Sequence, residues 1–153
     1  MEKLKILVNY LKKRKKTIAV AESMSGGYLS YLLTKIPGSS KFFKLGVVAY
    51  SLQAKHKLFN IPYTILNPTQ GVSEKIAKIL SKKVKSMLGT DLGASIVGFA
   101  GPKAKKGMRG VVYLGLTKGI KTVTKRKKVS GSREEIRRKA SYALIEFILN
   151  NLE

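Results

Sequence analysis

Serine, tyrosine and lysine are the residues with which this chain could do covalent chemistry, because histidine, aspartate and cysteine are scarce or absent. It has one histidine, His56, one aspartate, Asp91, and no cysteine. A Ser-His-Asp triad would need both near one nucleophile, and Asp91 sits where a strand begins, a position better explained as a turn residue. Catalytic metal sites gather several His or carboxylate ligands, whereas the eight acidic residues here are scattered or lie on helix surfaces, so no metal site is expected. The neighbours Glu134 and Glu135 fit a helix start, where carboxylates complement the helix dipole, better than a paired-carboxylate mechanism. A lysine can act as a general base once burial or neighbouring positive charge lowers its pKa by about three units. Ser39 and Ser40 before a strand, Tyr50 at its end and Lys55 one turn later form such a set. Spacing alone does not separate it from turn serines and a surface lysine.

The elements that must position these residues follow from periodicity. Leu4, Ile6, Leu7, Tyr10 and Leu11 recur at helical spacing, predicting an amphipathic helix over 2–15. Residues 17–22 read as a buried strand, and Ser23-Met24-Ser25-Gly26-Gly27 turns into a helix reaching about Lys35. After Pro37-Gly38-Ser39-Ser40, residues 42–50 read as a strand and a short helical turn runs through Lys55. Residues 67–71 read as a loop; Ser73 caps a helix with the stripe Ile76, Ile79, Leu80, Val84 and Leu88. A third strand spans 92–99, residues 109–117 and 122–129 form a hairpin around Lys118-Gly119, and Ser132 with Glu135 makes a capping box for a last helix ending near Leu149. Strands alternating with helices predict one α/β domain: a three-layer α/β/α sandwich with a mixed sheet, and the site at the carboxyl ends of the early strands.

Thirty-one Lys and Arg against eight acidic residues give a formal charge of +23, so the surface attracts anions. Nucleic acid is one such partner, held nonspecifically through runs such as Lys125-Arg126-Lys127-Lys128; a solvated lysine face explains the run equally well, and no interleaved aromatics point to base stacking. No apolar run approaches the roughly 20 residues of a membrane helix, and the amino terminus lacks the pattern of a signal peptide, so the expected compartment is the cytoplasm.

The stretches Ala21-Glu22-Ser23-Met24-Ser25-Gly26-Gly27, Pro37-Gly38-Ser39-Ser40, Gly46-Val47-Val48-Ala49-Tyr50-Ser51, Ala54-Lys55, Gly71-Val72-Ser73-Glu74, Gly98-Phe99-Ala100-Gly101-Pro102 and Arg109-Gly110-Val111-Val112-Tyr113 resemble, in order and spacing, the CinA C-terminal domain family. Its characterised members deamidate nicotinamide mononucleotide to nicotinate mononucleotide and ammonia, in pyridine nucleotide salvage and without a cofactor. The resemblance implies Ser40 as nucleophile, Tyr50 as proton relay and Lys55 as base. It places Ser23 near the substrate or oxyanion, with Gly26, Gly27 and Gly101 in the binding turns. Of the basic segment Arg133, Arg137 and Arg138, one is expected to hold the phosphate, with Arg133 and Arg137 the substrate-binding candidates. The helix opened by Gly26-Gly27 would present N–H groups to an anion, although Ser23 as a plain cap and glycines for close packing explain the same residues. The resemblance also implies a stand-alone form of the domain and a homodimer, for which Phe42, Phe43, Leu58 and Phe59 serve as interface or, equally, as core. Two positions depart from the pattern. A hydroxyl residue common before Gly-x-Ala-Gly-Pro is Val97 here, and further glycines are replaced by Lys103-Ala104-Lys105-Lys106-Gly107-Met108-Arg109. A second reading is therefore a degenerate domain that binds polyanions.

Overall fold

Strand residues here alternate between two apolar layers, and that alternation organises the molecule. The computed structural model describes residues 1–153. Its five strands are β1 (Ile18–Glu22), β2 (Phe43–Val48), β3 (Leu92–Gly98), β4 (Val111–Lys118) and β5 (Lys121–Lys128), and they form one sheet in the order β2-β1-β3-β4-β5. β1 pairs in parallel with both β2 and β3, while β4 and β5 run antiparallel. Six helices cover the sheet: α1 (Glu2–Lys13), α2 (Tyr28–Thr34), α3 (Leu52–Phe59), α4 (Tyr63–Leu66), α5 (Glu74–Leu88) and α6 (Arg133–Asn150).

Successive strand side chains point to opposite faces, so Ile18 and Val20 join α1, α2 and α6 in the larger core, while Ala19 and Ala21 meet α3, α4 and α5 in the smaller one. This is the expected three-layer sandwich. α1 buries Leu4, Leu7, Val8 and Leu11, each Leu stabilising the fold by about 1.5–3 kcal/mol, and leaves its lysines in water. Both halves of the Ser132–Glu135 capping box are present at the start of α6.

Two local expectations change, and two further groups of residues are placed. Residues 67–71 are not simple loop: α4 precedes a 3₁₀ turn at Asn67–Thr69, too short for periodicity to reveal. Leu88 lies at the carboxyl end of α5, past the reach of the core, and is exposed. Phe42 and Phe59 are fully buried within the chain, so of the four proposed interface residues only Leu58 is an exposed apolar side chain. The Lys125–Lys128 run occupies the outer strand β5, where charge discourages edge-to-edge pairing. No helix is long and apolar enough to cross a membrane.

Candidate functional site

With the order β2-β1-β3, the connections from β1 and β3 leave in opposite directions, and a crevice opens where their carboxyl ends diverge. A cavity of about 430 Å³ lies there. Ser23 follows β1 directly; Gly98, Phe99 and Gly101 follow β3; Tyr50 follows β2, and Lys55 reaches in from α3.

At the floor of the cavity the Lys55 Nζ donates a hydrogen bond to Ser23 Oγ at 2.8 Å. Both residues are buried, at 2% and 5% exposure. Two features carry Lys55 inward. Ser51 caps α3 by accepting from the Ala54 N–H, setting the helix so that position 55 faces the sheet. Gly71, at φ +79°, closes the following turn over the lysine stem: a Cβ there would lie 2.7 Å from Leu52 Cδ2 and 3.5 Å from Lys55 Cδ. Burial disfavours the ammonium form and lowers the Lys55 pKa from 10.5 to about 8. Desolvation is the cause, rather than the neighbouring positive charge that so basic a sequence suggests.

The turn carrying Ser23 is built around a buried carboxylate. Glu22, the last residue of β1, accepts from Ser25 Oγ (2.7 Å), the Leu29 N–H (3.0 Å), the Ser30 N–H (2.9 Å) and Ser30 Oγ (2.5 Å). The Leu29 and Ser30 amides of α2 are thereby taken from within the protein and are not free to receive a substrate anion, as the helix start was expected to do. Both glycines have positive φ and pack elsewhere: a Cβ on Gly26 would be 2.7 Å from Arg137 Nη2, and one on Gly27 would meet Val48. Arg137 donates Nε and Nη2 to the Ser25 carbonyl at 3.3 and 3.0 Å, so it braces the turn instead of lining the cavity.

Ser40 stands apart from this group. It precedes β2, and Phe43 pairs with Ile18 at the start of β1, whereas Ser23 follows the end of β1. Six residues of β2 at about 3.3 Å each separate the two ends of the strand by roughly 20 Å. Ser40 is exposed, its carbonyl accepts from Lys44 Nζ, and it lines no part of the cavity. The expected Ser40-Tyr50-Lys55 cluster is thus not assembled within one chain; the hydroxyl beside Lys55 is that of Ser23.

Tyr50 does line the cavity, but its hydroxyl accepts from Arg133 Nη2 at 2.7 Å. Arg133, Gly101 and Lys103 complete the mouth, as the basic loop and last helix suggest, while Arg138 lies in a separate cleft against Tyr142. Val97 is fully buried in the smaller core and does not reach the cavity. Gln70 and Val72 also line it, and sequence spacing offers no signal for either because the turn bearing them is recognisable only once folded over Lys55. His56 donates Nδ1–H to the Ile61 carbonyl and stacks on Tyr63, and Asp91 binds Thr17 at the far end of the sheet, so no triad forms.

The family model for the CinA C-terminal domain matches residues 2–152. A CinA-like protein from Kosmotoga olearia is 37% identical over 145 residues, covering 94% of this chain and 35% of the relative. One from Dictyoglomus thermophilum is 35% identical over 149 residues, covering 96% and 36%. The chain therefore spans about a third of these relatives' length. Among solved structures, a competence-damaged protein (CinA) superfamily protein from Enterobacter cloacae superposes with a TM-score of 0.92 at 27% identity, covering 99% of this chain and 91% of that one. The competence or damage-inducible protein from Enterobacter asburiae gives 0.93 at 25% identity, with 99% and 97% covered.

Proposed function

The chain belongs to the CinA C-terminal domain family, and on that premise we propose that it is an amidohydrolase that deamidates nicotinamide mononucleotide with Ser23 as nucleophile and Lys55 as its base. The observation that carries the reading is the buried 2.8 Å bond between Lys55 Nζ and Ser23 Oγ at the floor of a cavity. Once the ammonium loses a proton the bond reverses: the hydroxyl donates to the amine lone pair, which is the arrangement a serine needs to attack.

Ser23 Oγ adds to the carboxamide carbon as its proton passes to Lys55 Nζ. The N–H group of Met24, which lines the cavity and finds no acceptor within the chain, is available to the developing oxyanion. Collapse of the tetrahedral adduct breaks the C–N bond, and the amide nitrogen leaves as ammonia with the proton held by Lys55. Water then adds to the Ser23 ester, giving one proton to Lys55, and the released carboxylic acid leaves the serine restored. The balance is one amide and one water in, one acid and one ammonia out, with no cofactor. The ligand's phosphate is taken by the cationic mouth, away from the reacting carbon.

Ammonia release from nicotinamide mononucleotide by the purified protein tests the reading. Absence of release, or release undiminished in both Ser23→Ala and Lys55→Ala, overturns it.

A further inference from the structure

The cavity has a second pole that the hydrolytic steps leave unexplained. Arg133 Nη2 donates to Tyr50 Oη at 2.7 Å, and its Nη1 lies against the Gly101 turn, where an added Cβ would approach to 2.9 Å. Arg133 is exposed; its guanidinium is bonded by one phenol and adjoins the Gly101 turn, and it carries no carboxylate partner: the two ion pairs of the chain, Lys3 with Glu146 and Lys16 with Asp91, lie elsewhere. Lys103 lines the same mouth, no carboxylate lines the cavity, and none occurs in sequence between Asp91 and Glu134. A guanidinium spending one donor on a neutral phenol keeps its remaining donors for an anion.

Tyr50 is poorly placed to carry protons. Lys55 already reaches Ser23 directly, the Tyr50 hydroxyl bonds neither of them, and the residue is 58% exposed. We propose that Tyr50 is a positioning residue for an anion subsite at the cavity mouth, holding the Arg133 guanidinium so that it and Lys103 clamp a phosphate monoester, and that it relays no proton. The proposal rests on the amidohydrolase reading for its kinetic arm only.

The test compares nicotinamide mononucleotide with nicotinamide riboside, the same amide without the phosphate. A charge-assisted bond is worth enough to change binding by about 10- to 100-fold, a neutral positioning bond by about 3- to 10-fold. Arg133→Ala should lower the kcat/KM preference for the mononucleotide by about 100-fold and Lys103→Ala by about 10-fold, both through KM. Tyr50→Phe should lower it by about 3- to 10-fold, leaving the pH midpoint of kcat where the wild type has it. Tyr50→Phe added to Arg133→Ala should cost nothing further, because the hydroxyl acts through the guanidinium. Lys82→Ala, on the remote helix α5, controls for the general field.

A Tyr50→Phe enzyme that loses kcat equally on both substrates, or whose pH midpoint moves, overturns the proposal in favour of a relay. A preference moved as far by Lys82→Ala overturns it in favour of diffuse charge. Should neither amide be hydrolysed, the amidase reading fails alone, and the subsite is read from calorimetric Kd values for the same two compounds. Tighter binding of the mononucleotide, weakened by Arg133→Ala and Tyr50→Phe non-additively, sustains it; equal affinities for the two compounds overturn it.

Discussion

Lys55 Nζ and Ser23 Oγ meet at 2.8 Å across 32 positions of sequence, in a place where neither is exposed to bulk water. The pairing divides the hydroxyls of this chain into one that can be activated and many that cannot. Ser23→Ala should lower amide hydrolysis by at least about 1,000-fold, as loss of a nucleophile does in other serine hydrolases. Ser40→Ala, at the opposite end of β2, should stay within about twofold of wild type, since such exposed sites rarely matter. Steady-state ammonia release from the two variants checks the contrast, and a deficit at position 40 matching that at 23 would return the nucleophile to Ser40.

How far the sequence foretold this depends on which residue is asked about. The buried strand ending at Glu22, the glycine turn after it and the capping box at Ser132 rest on local patterns, and each appears in the fold within a residue or two. The presence of a cavity at the carboxyl ends of the early strands was also legible. That same rule already argued against Ser40, which stands before a parallel strand and hence at its amino end, but linear spacing to Tyr50 and Lys55 hid the consequence. What could not be read was long-range. Nothing local announces that Lys55 would be buried against Ser23, or that the helix amides beyond Gly27 would be claimed by Glu22 instead of a ligand.

Burial sets the pH at which the base works. With the Lys55 pKa lowered to about 8, log kcat/KM should climb with unit slope below that pH and flatten above it. At pH 7 roughly a tenth of the enzyme would carry the neutral amine. A kcat/KM profile in nicotinamide mononucleotide between pH 6 and 9.5 provides the measurement; a profile flat through pH 8, or one falling there, disagrees with an amine base.

The same burial weakens the fold. Holding Lys55 at about 8 instead of 10.5 costs about 3 kcal/mol while both the folded and unfolded lysines are protonated, below pH 8. Between pH 8 and 10.5 the unfolded chain binds more protons than the folded one, so this penalty is relieved as the pH rises. Lys55→Met keeps the length of the side chain and removes the charge, at the expense of about 1 kcal/mol for the bond to Ser23. It should be inactive yet about 1–3 kcal/mol more stable than wild type at pH 7, a gain that shrinks toward pH 10. Thermal melts at both pH values read the difference directly.

Glu22 gives a way to loosen the nucleophile without touching it. Its carboxylate accepts from four donors on Ser25, Leu29 and Ser30, and these bonds hold the turn that begins at Ser23. A glutamine offers a single oxygen, and its NH₂ group would face donors where an acceptor is required, leaving buried N–H or O–H groups unpaired. Glu22→Gln should therefore destabilise the fold by about 2–3 kcal/mol, as stranded buried donors do. Because Arg133 and Lys103 at the cavity mouth sit on α6 and the β3–β4 loop, outside the turn that the carboxylate holds, the kinetic loss should fall on kcat, by about 10- to 100-fold, with KM little changed. Melting curves combined with kcat and KM below the melting range separate the two effects. A variant that is destabilised but turns over normally would mean that the turn keeps Ser23 in place without the carboxylate.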